Sequence, residues 1–322
     1  MSARGSTLRT NTTGILLLIM LCTGLALAQQ SGPLTLTFTT IDVPGSMATN
    51  VLAINNAGQM VGYYYDSGNG ATATGFQLSN GNFSFFTYPG ADATEGTGIN
   101  DSGLISGTAY FAQNTVSIGF TNNAGTFTRI SVPNQEFTVL RGINNAGDIA
   151  GSFGSGAYNN AFVLVGTQFH DVTPPPGGWV TAVTNGVNNL GEAVGNVLGG
   201  VAQDNGFAYL KGKFQTITVP GLVDGTTIAW GVNDSGIVVG TYCCSGTSLY
   251  RGFAMFRGKY LTFEYPGATD TFASGINNAG QIVGSYTFSN QEIFYGFVTS
   301  PITTSDFKKA GCCLVDPNWK ER

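Results

Sequence analysis

The stretch "INNAGQIVGSY", Ile276 to Tyr286, is rewritten along the chain with small changes. It returns as "INNAGQMVGYY", "INDSGLISGTA", "INNAGDIAGSF", "VNNLGEAVGNV" and "VNDSGIVVGTY". Successive copies are 44 or 45 residues apart, and their first asparagines are Asn55, Asn100, Asn144, Asn188, Asn233 and Asn277. A fixed period of this length is typical of proteins built from repeated structural units.

Three further markers keep the same period. A Gly-x-x-x-Gly element follows each asparagine, as in Gly58 to Gly62, and a small residue followed by phenylalanine comes next, as in Gly75-Phe76. An aromatic residue, an apolar residue and a proline then follow at intervals of three, as in Phe83 to Pro89. With four markers in each copy, the repeat covers nearly the whole chain after its first 33 residues.

Each unit predicts four short strands, A to D. The Asn-(Asn/Asp)-x-Gly stretch predicts the hairpin turn between A and B, because Asn and Asp tolerate turn backbone and Gly adopts positive φ. The second glycine lies in strand B and predicts the close approach of a neighbouring backbone. Strand C begins at the Gly-Phe pair, and strand D ends at the proline, which cannot donate a ladder hydrogen bond.

The order of the units predicts how the chain ends meet. The first marker is a lone strand D, Phe38 to Gly45, and the last unit has no strand D of its own. The fold class is therefore all-β, a six-bladed β-propeller of four-stranded blades over residues 34–300, closed by the N-terminal strand. An open β-solenoid is the alternative, but it gives no reason for the permuted ends.

The repeat "GINNAGQIVGSY…GF…PGA" resembles the extracellular HAF-repeat family of bacterial exported proteins, over all six units. That family takes its name from a His-Ala-Phe triplet at the start of strand C. Here only Asn160-Ala161-Phe162 approaches the triplet, and no unit has the histidine. The resemblance implies export and repetition, and it carries over no catalytic residue.

The first 28 residues have the features of a secretory signal peptide. Arg4 and Arg9 precede an apolar run from Gly14 to Leu27, and the segment ends in a small-x-small pattern at Ala28. The run is shorter than the roughly 18 apolar residues that span a bilayer. We therefore expect a secreted or periplasmic protein with no stable membrane span after cleavage. Residues 301–322 are expected to form a polar, solvated C-terminal tail.

The net charge of the chain bears on which classes of molecule it binds. Without Arg4 and Arg9 the chain has 11 basic and 18 acidic residues, a net charge of −7. Nucleic-acid binding relies on clustered Lys and Arg and is therefore not expected. No cofactor is predicted, and we expect a monomer whose partner is a glycan or an extracellular protein.

Four cysteines remain after signal cleavage, as the adjacent pairs Cys243-Cys244 and Cys312-Cys313. In an exported protein these cysteines are expected to form disulfides, with three connectivities open. A metal site made from the two pairs is the alternative, although ligand pairs are usually separated by at least two residues.

The B–C and D–A loops vary between units, and they are predicted to share one face of the propeller. Variable loops on a rigid scaffold are where binding residues concentrate. Aromatic faces stack on sugars and cations, so the candidate binding residues are the aromatic and charged ones of this face. They are Trp179, Trp230, Arg141, Asp92, Glu95, Asp224 and Asp270.

A purely structural interpretation of these residues stays open, in which the carboxylates bond loop amides and the Trp residues pack between blades. No catalytic residue is predicted, because the only histidine, His170, falls on an outer strand and no serine lies in a G-x-S-x-G elbow. A secreted carbohydrate-active enzyme that uses paired loop carboxylates is the alternative function. A structural or adhesive envelope component is the third.

Overall fold

The protein is described by a computed structural model that covers residues 36–66, 72–111, 116–155, 158–174, 181–199, 205–222, 225–243, 249–288, 293–309, 313–316 and 319. These residues form an all-β, six-bladed β-propeller, as the repeat predicts. The predicted signal segment, 1–28, lies outside them. No helix in the described part of the chain has the length and apolar character needed to cross a bilayer.

Each blade is an antiparallel sheet, and in blades 1 to 5 the strands pair in chain order. Blade 1 contains β2 (Ser46–Ile54), β3 (Met60–Asp66), β4 (Ala73–Ser79) and β5 (Asn82–Phe86). Blade 2 contains β6 (Ala93–Ile99), β7 (Ile105–Phe111), β8 (Val116–Asn123) and β9 (Thr126–Ile130). Blade 3 contains β10 (Phe137–Ile143), β11 (Ile149–Ser155), β12 (Tyr158–Val165) and β13 (Gln168–Asp171).

The second half repeats this arrangement. Blade 4 contains β14 (Thr181–Val187), β15 (Ala193–Leu198), β16 (Asn205–Leu210) and β17 (Lys213–Ile217). Blade 5 contains β18 (Thr226–Val232), β19 (Val238–Cys243), β20 (Tyr250–Phe256) and β21 (Lys259–Phe263). Blade 6 contains β22 (Asp270–Ile276), β23 (Ile282–Thr287), β24 (Tyr295–Thr299) and the N-terminal β1 (Phe38–Ile41).

Strand β1 is the outer strand of blade 6, where it pairs antiparallel with β24. Phe38 lies opposite Thr299, and Ile41 lies opposite Gly296. Blade 6 therefore has four strands, although the chain supplies only three of them after blade 5. The further prediction that this strand is what closes the ring stays a prediction.

The repeated asparagine joins each blade to the next. The Asn55 Nδ2 donates to the Asn100 carbonyl at 3.0 Å, and the Asn100 Nδ2 donates to the Asn144 carbonyl at 3.2 Å. The same bond recurs from Asn144, Asn188, Asn233 and Asn277, the last of which donates to Asn55. The turn glycine has positive φ in every copy, as predicted; that of Gly58 is 76°.

A second ring of hydrogen bonds lies outside the first. The residue after each asparagine donates its backbone N–H to a side-chain oxygen of the next turn, as Asn56 does to Asp101 at 2.8 Å. The same contact runs through all six turns. The turn motif is therefore structural, because its polar groups are used to connect blades.

The glycine and phenylalanine markers are explained by packing within and between blades. The phenylalanine of each Gly-Phe pair, such as Phe76, is buried in the core. A Cβ on Gly107 of strand β7 would lie 2.3 Å from the Phe120 ring and 2.5 Å from the Glu95 carbonyl oxygen. Only glycine therefore lets the inner strand and the core ring pack this closely.

The expectation of a solvated C-terminal tail is wrong at two of its described residues. Ile302 and Phe307 are both buried, and Asp306–Lys308 forms a turn of 3-10 helix. Strand β25 (Leu314–Val315) then pairs with β21, adding a fifth strand to the outside of blade 5. Two apolar side chains in a mostly polar segment are enough to dock it, because their burial removes them from water.

Two of the four cysteines fall within the described residues. Cys243 ends β19, and Cys313 directly precedes β25, so both belong to blade 5 or to the tail strand on its outer edge. Cys244 and Cys312 lie outside the described residues. The disulfide pairing stays a prediction.

Candidate functional site

The inner strand of every blade, β2, β6, β10, β14, β18 and β22, is interrupted by a β-bulge. In blade 2, Gly96 pairs with Gly107 and Gly98 pairs with Ser106, so Thr97 has no residue opposite it. The same register shift occurs in the other five blades. A bulge re-aims one side chain, and it recurs next to binding sites for that reason.

We call the six residues at these shifts the bulge residues. They stand at one equivalent position of the repeat, yet no two are alike, and all six line a single cavity at the centre of the ring. The bulge residues are Leu52, Thr97, Arg141, Asn185, Trp230 and Ser274. A uniform backbone therefore presents six different side chains to one space.

The residue after each bulge is small, which lets the inner strands approach one another. It is Gly98, Gly142, Gly186, Gly231 or Gly275, and Ala53 in blade 1. A Cβ on Gly142 would lie 3.0 Å from the Asn185 carbonyl oxygen. The channel is consequently narrow below the bulge, with a volume of about 80 Å³ at this level.

The cavity at the bulge residues, which we call the channel-mouth cavity, has a volume of about 370 Å³. It opens toward the B–C and D–A loops. Each inner strand runs from its D–A loop to its Asn turn, and the inner-strand lining residues lie in the part of the strand before the turn. Pockets of a few hundred Å³ accept small ligands. Besides the bulge residues, its lining consists of Asn50, Tyr63, Glu95, Tyr110, Phe272, Ser285 and Phe294.

The cavity holds one basic and one acidic side chain, Arg141 and Glu95. The Arg141 guanidinium lies over the Trp230 ring, with its Cζ 5.8 Å from the ring centroid. The Tyr110 hydroxyl donates to Glu95 Oε2 at 3.2 Å. Burial raises the pKa of the Glu95 carboxyl above its ordinary value, although the Arg141 charge and the Tyr110 hydrogen bond act in the opposite direction.

The two tyrosines beside Glu95 remain hydrogen-bond donors. Burial, followed by the negative charge of Glu95, raises the pKa of both Tyr63 and Tyr110. Both hydroxyls therefore stay protonated at any physiological pH. The cavity combines aromatic faces, hydroxyl donors, amides, one carboxyl and one guanidinium.

The structure separates the predicted binding residues. Glu95, Arg141 and Trp230 line the channel-mouth cavity. Asp270 accepts a hydrogen bond from the Tyr250 backbone N–H at 2.7 Å, in agreement with the structural interpretation of that residue. Asp92 directly precedes β6 and is not among the lining residues. Trp179 and Asp224 lie outside the described residues.

The paired-carboxylate arrangement is not formed among the described candidates. Of Asp92, Glu95 and Asp270, only Glu95 lines the cavity. His170 lies exposed on the outer strand β13. No group of three or more His, Cys, Asp or Glu residues suited to a metal ion occurs in the part of the chain that the structure describes.

Comparison with known proteins supports the fold alone. No protein-family model matches the sequence, and no curated protein matches it significantly. A triple arginine-to-alanine mutant of AofleA from Arthrobotrys oligospora is 10% identical, with 83% of this chain and 89% of that chain covered and a TM-score of 0.50. The β-propeller domain of the trilobed protease from Pyrococcus furiosus is 9% identical, covers 80% and 84%, and has a TM-score of 0.48. At these identities neither protein carries residue roles to this chain.

Several lining residues were missed by the sequence analysis. Tyr63 and Tyr110 lie on the second strands β3 and β7, and Phe294 lies in the B–C loop of blade 6. The available signal was the repeat itself: the bulge position, three residues before each conserved asparagine, is the most variable position within an otherwise constant strand end. Variation within a repeat indicates a surface that the scaffold does not constrain.

Proposed function

We propose that this protein is an exported, non-enzymatic binding propeller that takes a saccharide in the channel-mouth cavity. The observation that carries the proposal is the convergence of six different bulge residues on one cavity, from six equivalent backbone positions. Packing would be satisfied by the same small residue in every blade. Six distinct side chains, including Arg141 and Trp230, are a recognition surface.

The lining suits a sugar better than a protein surface. Trp230, Phe272 and Phe294 supply apolar faces, and aromatic faces stack against sugar rings. Asn50, Ser285 and the tyrosine hydroxyls supply the donors and acceptors that ring hydroxyls require. A space of about 370 Å³ admits one or two sugar units of a chain end, and it is too small for a folded partner.

Binding is preferred to hydrolysis because glycoside hydrolysis generally uses two carboxyl groups across the scissile bond. Among the described candidate acids, Glu95 alone lines the cavity. Export is supported by the signal-like segment 1–28 and by the resemblance to extracellular HAF-repeat proteins.

The test is a glycan array probed with the purified protein and with Trp230→Ala. Phe85→Ala is the matched control, because Phe85 is an aromatic side chain exposed on the outer strand β5. We expect a glycan signal that Trp230→Ala abolishes and Phe85→Ala preserves. A signal that is indifferent to Trp230→Ala, or no signal on any glycan, contradicts the proposal.

A further inference from the structure

The guanidinium of Arg141 is the least satisfied polar group of the channel-mouth cavity. Its Nε is buried and has no hydrogen-bond partner. The salt bridges found among the described residues are Arg251–Glu264 and Lys309–Asp306, and Arg141 takes part in neither. The guanidinium lies over the ring of Trp230, with Cζ 5.8 Å from the ring centroid, so the ring covers one of its faces.

A guanidinium whose Nε is buried and unpaired favours an anion. Leaving a charged donor unsatisfied away from water costs more than leaving a neutral one unsatisfied. The planar fork of arginine matches the two oxygens of a carboxylate, and this pair is stronger than a neutral hydrogen bond. A planar oxyanion is therefore the partner that matches the Arg141 guanidinium.

Glu95 does not fill this role. The positive charge of Arg141 acts to lower the pKa of Glu95, but no ion pair joins Glu95 and Arg141. The Oε2 atom of Glu95 instead accepts a hydrogen bond from the Tyr110 hydroxyl. Burial favours the neutral form of Glu95.

We propose that the saccharide bound in the channel-mouth cavity is acidic, a uronate whose carboxylate pairs with Arg141. The sugar ring then lies among Trp230, Phe272 and Phe294, and its hydroxyls face Glu95 and the tyrosines. The inference rests on the proposed function, because it names the class of the sugar that the same cavity takes. One guanidinium calls for one negative charge per bound sugar unit.

The test is calorimetric titration of the purified protein with galacturonate trisaccharide and with the neutral galactose trisaccharide of the same linkage. We expect the uronate to bind about tenfold more tightly or better, in line with a hydrogen-bonded charge pair. Arg141→Gln should remove that preference, so that the two trisaccharides bind with equal affinity. Arg129→Gln is the matched control, because Arg129 is exposed on the outer strand β9.

Arg141→Lys keeps the positive charge but loses the fork, so it should retain only part of the preference. It also replaces Arg141→Gln if that variant fails to fold, as judged by its thermal unfolding. Equal affinity for the two sugars, or a preference that survives in Arg141→Gln, overturns the inference. Tighter binding of a sulfated galactose trisaccharide than of the uronate overturns the choice of carboxylate.

The two proposals fail in different ways. If the neutral trisaccharide binds and Trp230→Ala abolishes that binding, the saccharide site stands and only the acidic specificity is lost. If neither trisaccharide nor the sulfated one binds, the proposed function itself fails for these sugars, and the acidic specificity fails with it.

Discussion

The side-chain amide of Asn277 donates to the carbonyl oxygen of Asn55 at 3.1 Å, across 222 residues of chain. This bond joins the last blade to the first, and it is the same bond that joins every other pair of neighbouring blades. The hydrogen-bond ring is therefore complete without any special closing residue. Each repeat carries both halves of the contact, an amide for the next blade and a carbonyl for the preceding one.

Removing one member of this ring should destabilise the fold. The Asn144 side chain is buried, donates to the Asn188 carbonyl at 3.0 Å and accepts from the Asp148 N–H at 2.8 Å. Asn144→Ala leaves buried groups unsatisfied and should lower the free energy of unfolding by about 1–3 kcal/mol. Urea unfolding measures the loss. The control, Asn82→Ala, removes an exposed hydrogen bond to Asn80 and should change stability by under about 0.5 kcal/mol.

The fold could be predicted from the sequence because its signals are local. The turn asparagine, the turn glycine and the strand-ending proline each act within a few residues, and their repetition fixes the number of blades. The permuted strand at Phe38–Ile41 was also readable, since a marker for strand D occurs before any marker for strand A. The assignment of Arg141 and Trp230 to the B–C and D–A loop face follows from the same alignment of repeats.

The candidate site could be predicted only in part, because it depends on contacts between distant blades. No residue type predicts the register shift at Thr97 or Ser274. The bulge that directs these side chains inward could therefore not be predicted from the sequence of one repeat unit. Asp270 lies on the predicted face, yet its carboxylate accepts a hydrogen bond from the backbone N–H of Tyr250. Phe307 was assigned to a solvated tail because its docking surface, Phe256, lies about fifty residues earlier.

The small residue of the Gly-Phe marker should be required by the neighbouring blade. A Cβ on Gly119 of β8 would lie 2.5 Å from Cγ of Leu140, a fully buried side chain of blade 3. Gly119→Ala should therefore cost about 1–3 kcal/mol through overpacking. In the double variant with Leu140→Ala, the added methyl enters the space left by the leucine. The two costs should then fall short of additivity by roughly 0.5–3 kcal/mol, and strict additivity contradicts the contact.

The tail should contribute to stability through one aromatic side chain. Phe307 is buried, its ring lies 5.8 Å from that of Phe256, and its carbonyl accepts from Lys259 Nζ at 3.1 Å. Phe307→Ala should cost roughly 3–5 kcal/mol in chemical unfolding. Leu314→Ala is the control, because that side chain is exposed on β25. Equal effects of the two changes would mean that the tail does not pack on the blade in solution.

Glu95 should make the stability of the protein depend on pH. Burial raises the pKa of its carboxyl in the folded state, so the folded state binds the proton more tightly than the unfolded chain. This contribution to stability is fully present below the ordinary carboxyl pKa and is lost as pH rises through the folded value. Glu95→Gln cannot ionise, so it should match the wild type in acid and become the more stable protein toward neutral pH. Thermal unfolding measured from pH 4 to pH 8 gives the difference.

Asp101 supplies a comparison of opposite sign in the same titration. Burial acts to raise the pKa of this carboxyl, but hydrogen bonds from Asn56 and Asn145 outweigh it and hold the pKa below its ordinary value. Its contribution is present above the unfolded pKa and is lost as pH falls through the folded value. Asp101→Asn should therefore be less stable than the wild type at neutral pH, and the gap should narrow in acid. If both variants shift in the same direction with pH, the folded state favours the ionised Glu95 carboxylate, and the raised pKa assigned to it is wrong.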